Sequence, residues 1–291
     1  MRLAAIDIGT NSTRLLIADL AGEKLREVER YLVTTRLGEG MEQGLLLPEP
    51  MGRAATAIAG YNAIARSYGA ERIVAVATSC VRDASNRNEF LAMVKQRANL
   101  EVRVISGDQE AFLSYRGVLA GLTLNPGASL VLDIGGGSTE LIWPLDGQIQ
   151  TVSLQVGAVR FIANQWTESQ VETLLHPILD RLKDLSALSL AGVGGTITTL
   201  AAMELRLSQY SPRLTHGYFL SAKAVERLYG LLKSLPPEER KKLPGLQPER
   251  ADIIVGGTII LRTVLRQLNQ KGLTVSESDI LQGLLLEEAK K

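Results

Sequence analysis

Histidine and cysteine are nearly missing from this 291-residue chain, which holds two histidines, His176 and His216, and one cysteine, Cys80. Two histidines exclude a three-histidine zinc site and leave a serine-histidine-aspartate triad little to draw on. A lone cysteine excludes an internal disulfide, so a reducing compartment is compatible with the chain. Excess charge is also missing: 32 Lys and Arg against 31 Asp and Glu leave a formal net charge of +1. So balanced a chain has no overall field for gripping nucleic acid or an anionic membrane, and a polyanionic partner has to be met by a local basic site. Aromatic residues are 4% of the chain against 45% hydrophobic residues in all, so the cores are built from Leu, Ile, Val and Ala. The N-terminal apolar stretch from Leu3 to Ile8 is interrupted by Asp7 and is too short for a signal sequence or a membrane span. These observations predict a soluble, cytoplasmic protein with neither a membrane nor a nucleic acid polymer as partner. Any metal chemistry falls to carboxylates.

What is present is a repeat. Residues 4–17 read AAIDIGTNSTRLLI and residues 130–143 read LVLDIGGGSTELIW, so that at an offset of 126 Asp7, Ile8, Gly9, Ser12, Thr13 and Leu15 recur as Asp133, Ile134, Gly135, Ser138, Thr139 and Leu141. Each copy is an apolar strand, a turn of small residues and a second apolar strand, the pattern of a β-hairpin. A third strand is predicted after each, over Leu25 to Thr35 and Gln148 to Leu154. The length suits two domains, and the repeat makes them two copies of one α/β plan. The first is expected over 1–120, with 279–291 as a segment that could complete it, and the second over 121–278. Between these landmarks the periodicity predicts helices over 50–67, 85–98, 108–120, 167–184, 195–207, 221–234, 236–242, 248–268 and 279–289. Strands are predicted over Arg72 to Ala77, Glu101 to Ile105, Ser189 to Val193 and Lys271 to Val275. With no flexible linker in sight, the halves are expected to enclose a cleft.

Two glycine-rich turns, each opened by an aspartate, suit the clasping of phosphate. Small residues let backbone N–H groups approach phosphate oxygens, the hydroxyls of Ser12, Thr13, Ser138 and Thr139 add donors, and Asp7 and Asp133 can each hold hydrated Mg²⁺. Either turn alone is equally an ordinary tight turn; their duplication favours phosphate. Asp133 and Glu140, seven residues apart across a hairpin turn, can face one way if the second strand returns beside the first. Gly194, Gly195 and Thr196 open a helix, a geometry suited to anions. Glu110 stands in a first helical turn, where it can serve as a general base or simply complement the helix dipole. For most arginines a solvated surface position is the ordinary reading, as it is for the ERKK run at 239–242; RLTHG at 213–217 is a second basic cluster. Cys80 reads as a small buried residue, and His216 as a structural residue at least as readily as a site residue.

The motifs DIGTNSTRLLI (7–17), VATSCVRDASN (76–86), ISGDQEAFLSYRGV (105–118), LDIGGGSTEL (132–141), GVGGTITTLAA (192–202), THGYFLS (215–221) and ERADIIVGG (249–257) together resemble the exopolyphosphatase/guanosine pentaphosphate phosphohydrolase (Ppx/GppA) family. The resemblance implies duplicated ribonuclease H-like domains of the actin, sugar kinase and acetate kinase superfamily, with the active site in an interdomain cleft. It implies release of terminal orthophosphate from polyphosphate or guanosine pentaphosphate (pppGpp), the latter linked to the stringent response, with Mg²⁺ or Mn²⁺ as cofactor, and it is compatible with a homodimer. Glu110 then resembles the water-activating base, with Arg82 and Glu140 beside it in catalysis. Thr10, Asn11, Ser12, Gly135, Gly136, Gly137, Ser138, Gly194, Gly195 and Thr196 would bind phosphate, and Asp7, Asp133 and Glu140 would hold the metal. Arg14 is the first-hairpin counterpart of Glu140.

Two departures stand out. Many members close this core with a GLREG-type motif where this chain reads DILQG at 279–283, and the HD-phosphohydrolase-type region of the long members is not in the sequence, which implies a preference for short chains. The alternative to a hydrolase is a sensor that binds (p)ppGpp or polyphosphate with little turnover. A small-molecule kinase is disfavoured, because a water-activating glutamate is a hydrolase feature.

Overall fold

In a computed structural model of the chain, residues 1–22, 24–41, 44–183 and 188–290 are described. The chain divides into two compact units, Met1–Gly117 with Asp279–Lys291, and Val118–Ser278. No helix among the described residues is long and apolar enough to cross a membrane.

The first unit begins with strands β1 (Arg2–Ile8), β2 (Ser12–Ala21) and β3 (Lys24–Thr34), followed by helix α1 (Pro48–Ser67), β4 (Arg72–Ala77), the short α2 (Ser79–Asp83), α3 (Arg87–Ala98), β5 (Val102–Val104) and α4 (Gly107–Gly121), within which the unit boundary falls. Its sheet runs β3-β2-β1-β4-β5, with β1 antiparallel to β2 and parallel to β4.

The second unit holds β6 (Ser129–Ile134), β7 (Thr139–Leu145), β8 (Gln148–Leu154), α5 (Ala158–Ala163), α6 (Glu168–Leu182), β9 (Ser189–Val193), α7 (Gly195–Glu204), α8 (Pro212–Thr215), β10 (Phe219–Ser221), α9 (Ala222–Ser234), α10 (Pro237–Arg240), α11 (Ile254–Gln267) and β11 (Gly272–Val275). Its sheet runs β10-β11-β9-β6-β7-β8. Helix α12 (Ile280–Glu288) returns the chain to the first unit.

Strand alternation sorts the first unit's side chains between two faces. Ala4, Ile6 and Ile8 join a core with α1 and α3, while Leu3 and Ala5 join one with Ile280, Leu281, Leu284 and Leu285 of α12. Asp7 therefore falls on the α12 face. In the second unit Leu130, Leu132, Ile134, Leu141 and Trp143 enter its core, so Asp133 and Glu140 face the other way.

Several elements differ from the sequence expectation. The predicted helix over 85–98 begins at Arg87 and is preceded by the separate α2. The helix over 195–207 stops at Glu204, because Arg206 takes a left-handed conformation at φ 51°. That over 248–268 is divided into a 3₁₀ turn at Pro248–Arg250 and α11. Helix α6 starts from a capping box of Thr167 and Gln170; Asp184, the last residue of the predicted 167–184 helix, lies outside the described residues, as does Lys291.

Candidate functional site

The two repeats fold as the same turn. In the first unit Asp7 pairs with Arg14 across β1 and β2, and the Gly9 amide donates to the Ser12 carbonyl at 3.0 Å. In the second, Asp133 pairs with Glu140 across β6 and β7, and the Gly135 amide donates to the Ser138 carbonyl at 3.0 Å. Residues opposite each other in a ladder share a face, so Asp133 and Glu140 do point the same way.

The first unit brings together Asp7, Thr10, Asn11, Ser12, Arg14, Arg82 and Glu110 around the ends of β1 and β4. Thr10 Oγ1 lies 2.9 Å from Ser79 Oγ, which ties the turn to α2. That helix carries Arg82, whose Nη1 donates to Glu110 Oε2 at 2.8 Å and to the Ile105 carbonyl at 3.2 Å. Both side chains are largely covered, at 16% and 12% exposure. Arg82 Nη2 is buried and, among the described residues, meets no hydrogen-bond partner. Burying a guanidinium nitrogen unsatisfied is costly, and an anionic ligand is what would satisfy it.

Asp7 is arranged in a related way. Arg14 donates from Nη2 to Asp7 Oδ2 at 2.6 Å and from Nη1 to Asp279. Asp7 and Asp279 thus share one guanidinium, and among the described residues Asp7 Oδ1 is buried without a hydrogen-bond partner. Burial pushes the Asp7 carboxyl up and the charge of Asp279 adds to this, with Arg14 pulling the other way. Burial also works against the Arg14 charge, but Asp279 and Asp7 outweigh it and push Arg14 up.

Asp279 is the first residue of the DILQG departure. It caps α12 by accepting from the Leu281 amide at 2.9 Å, and Gln282 accepts from the Asp279 amide at 2.9 Å to close a capping box. Leu281 is buried in the core beneath the sheet. The Leu-Gln pair thus serves packing and capping.

In the second unit, Glu140 is 1% exposed and accepts from Ser153 Oγ at 2.7 Å. Gly194 stands beside Asp133: its φ is +99°, and a Cβ there would come within 2.9 Å of Asp133 Oδ1. Gly194 is the cap of α7, Thr196 is buried in its first turn, and the Arg250 guanidinium occupies the space where a Gly195 side chain would stand. Asp133, Glu140, Gly135, Gly136, Gly137, Ser138, Gly194, Gly195 and Thr196 therefore gather at the ends of β6, β7 and β9. Sequence reasoning passed over Arg250, although it lies in the quoted ERADIIVGG motif, and over Ser79, Arg160 and Asp279.

His216 is satisfied inside its own unit. Its Nδ1 accepts from the Glu277 amide at 3.0 Å, which puts the ring proton on Nε2, 3.0 Å from the Gly121 carbonyl. Lys241 and Lys242 of the ERKK run, just past the end of α10, pair with Glu238 and Glu239 of that short helix at the exposed surface.

For a divalent cation, the donors available are carboxylate oxygens, the type Mg²⁺ prefers, and Asp7 Oδ1, which has no hydrogen-bond partner among the described residues, is one such donor. No group of three or more His, Cys, Asp or Glu that could hold a metal exists among the described residues. Mg²⁺ commonly takes one or two carboxylates and completes its shell with water and substrate phosphate, so the residues fit such an ion.

Two mixed sheets, each opened by an aspartate-led hairpin turn, define the duplicated α/β fold of the actin, sugar kinase and acetate kinase superfamily. The chain belongs to the Ppx/GppA phosphatase family, whose sequence pattern matches residues 16–291. It is 34% identical to exopolyphosphatase 2 of Mycobacterium tuberculosis over 98% of both chains. Among solved structures, the Ppx/GppA family member of Aquifex aeolicus superposes with a TM-score of 0.81 at 31% identity, covering 100% of this chain and 98% of that one. An exopolyphosphatase of Cytophaga hutchinsonii gives 0.91 at 27% identity, again over 100% and 98%.

Proposed function

We propose that this protein hydrolyses the terminal phosphoanhydride of inorganic polyphosphate, of pppGpp, or of both, with Glu110 as general base. The observation that carries this reading is the Arg82–Glu110 pair, 2.8 Å apart, beside a buried guanidinium nitrogen with no protein partner among the described residues. Water attacks the terminal phosphorus, its proton passes to the Glu110 carboxylate, and the bridging P–O bond breaks to release orthophosphate and a chain shorter by one phosphate. Arg82 orients the base through Nη1 and offers Nη2 to a phosphate oxygen, offsetting charge as the bond breaks. In the first unit the backbone amides of residues 10–12 would bind phosphate, and in the second unit those of residues 135–138 and the first turn of α7 offer donors of the same kind. Asp7 in the first unit, and Asp133 with Glu140 in the second, are the carboxylates that would hold Mg²⁺ or Mn²⁺, one or two to an ion, and the ion when bound neutralises phosphate charge.

The names of the relatives favour polyphosphate, since both the Mycobacterium tuberculosis protein and the Cytophaga hutchinsonii structure are exopolyphosphatases. The test is orthophosphate release from polyphosphate and from pppGpp side by side, with Mg²⁺ and with a chelator. Release from at least one substrate that the chelator stops is the expected result; tight binding with no release of either would make the protein a sensor instead.

A further inference from the structure

The glycine turn of the second unit is held from behind. The Gly135 carbonyl accepts from the Ala158 amide at 3.0 Å, and the Gly136 carbonyl accepts from Val159 at 2.8 Å and Arg160 at 3.0 Å. Arg160 Nε then donates to the Gly137 carbonyl at 2.7 Å. Gly157 packs so closely that a Cβ would run into the backbone of Gly136 and Gly137. Three successive carbonyls of the turn are thus drawn toward residues 158–160. Among the described residues, the amides of Gly136, Gly137 and Ser138 donate no turn or loop backbone hydrogen bond. Peptide carbonyls and amides point in opposite directions, so pulling the carbonyls back aims amides outward and keeps carbonyl lone pairs from facing an anion.

The first unit provides an independent comparison. At the same repeat offset, the Thr10 and Asn11 carbonyls correspond to those of Gly136 and Gly137. They accept from the Gly38 amide at 2.9 Å and the Arg36 amide at 2.8 Å. The carbonyl of the turn's third residue is therefore tied back in both copies, by a main-chain N–H in one and by the Arg160 side chain in the other. Only in the second copy can a side-chain substitution release it.

We propose that Arg160 is a positioning residue that sets the affinity of the Gly135–Ser138 turn for phosphate by holding the Gly137 carbonyl out of the anion's path. This inference rests on the proposed phosphate-binding role of the turn. Arg160→Ala loses the tie, and Arg160→Lys restores a cationic donor near the same carbonyl. The measurements are orthophosphate affinity by calorimetry, KM and kcat on polyphosphate, and melting temperature, for the parent and both variants. Arg160→Ala is expected to weaken orthophosphate binding and raise KM by about tenfold, the order of one charge-assisted hydrogen bond, with kcat and melting temperature nearly unchanged and most of the affinity recovered in Arg160→Lys. Unchanged affinity and KM in Arg160→Ala would overturn the proposal. So would a loss confined to kcat, or a fall in melting temperature with no recovery in Arg160→Lys. If the parent binds orthophosphate but cleaves no polyphosphate, the hydrolase reading fails while the affinity comparison still decides the role of Arg160. If the parent does not bind orthophosphate at all, the turn's role and this inference fail together.

Discussion

Arg82 and Glu110 stand 28 positions apart in the chain and meet at 2.8 Å, one from the short helix after β4 and the other from the first turn of α4. Each has an ordinary explanation alone, as a surface arginine or as an acid favoured by a helix dipole. Together, largely covered and with Arg82 Nη2 meeting no hydrogen-bond partner among the described residues, they put the proposed base and an anion donor in one place.

Arg82→Lys is expected to lower kcat by about 10³-fold. A lysine lacks the planar fork needed to meet the Ile105 carbonyl, Glu110 and a phosphate oxygen together, and a well-placed arginine in phosphoryl transfer is worth about that factor. Steady-state phosphate release checks this; a decrease below tenfold would show that Arg82 serves the fold alone.

Gly283→Ala is expected to destabilise the first unit by about 1–3 kcal/mol, the usual cost of overpacking. A Cβ at that position in α12 would land on the Leu113 carbonyl of α4. The helix-propensity gain of about 1 kcal/mol from replacing glycine does not offset a collision with backbone. Thermal melting is the measurement, and a variant as stable as the parent would contradict this close approach of α12 to α4.

The second unit has a pH-dependent tie among α6, α9 and α11. Arg262 reaches Glu168 at 2.6 Å and lies 3.8 Å from the Tyr229 ring centroid, while the Tyr229 hydroxyl donates to Glu168 at 2.9 Å. Burial disfavours the Glu168 carboxylate, but Tyr229 and Arg262 outweigh it and hold the carboxyl below its usual range. A carboxyl lowered by folding adds stability that is full above its unfolded pKa, about 4.3, and is lost as pH falls through the lower folded value. Glu168→Gln should therefore melt below the parent at pH 7, with the gap closing below about pH 4. A gap that stays constant with pH would contradict it.

Cys80 is buried, and that burial pushes its thiol up to about 12. Only the thiolate reacts readily, so thiol reagents at pH 8 should leave the folded protein unlabelled and modify it once unfolded. Rapid labelling of the native protein would contradict the placement of Cys80 in the core.

The hairpins were legible because a repeated strand, turn and strand leaves both a self-match and a period of two. The facing of Asp133 and Glu140 followed from that pattern. Helix α5 was not legible: it has six residues, too few for a helical period, and its first turn is fixed by hydrogen bonds to Gly135 and Gly136. Strand β10 has three residues and is defined by its antiparallel partner β11. Arg160 has no counterpart at the repeat offset, because the first unit satisfies the same carbonyl with a backbone amide. The role of Asp279 in the DILQG departure was not legible: the fold makes it both the cap of α12 and an ion-pair partner of Arg14, a contact between residues 265 positions apart.

The most direct test of the account is orthophosphate release from polyphosphate by the parent and by Glu110→Gln, together with the orthophosphate affinity of each. Glutamine can still accept from Arg82, so the variant should fold and bind orthophosphate as the parent does while turnover falls by about 10²–10⁴-fold, the usual share of general-base catalysis. Turnover in Glu110→Gln within a few-fold of the parent would remove Glu110 from the mechanism and contradict the account.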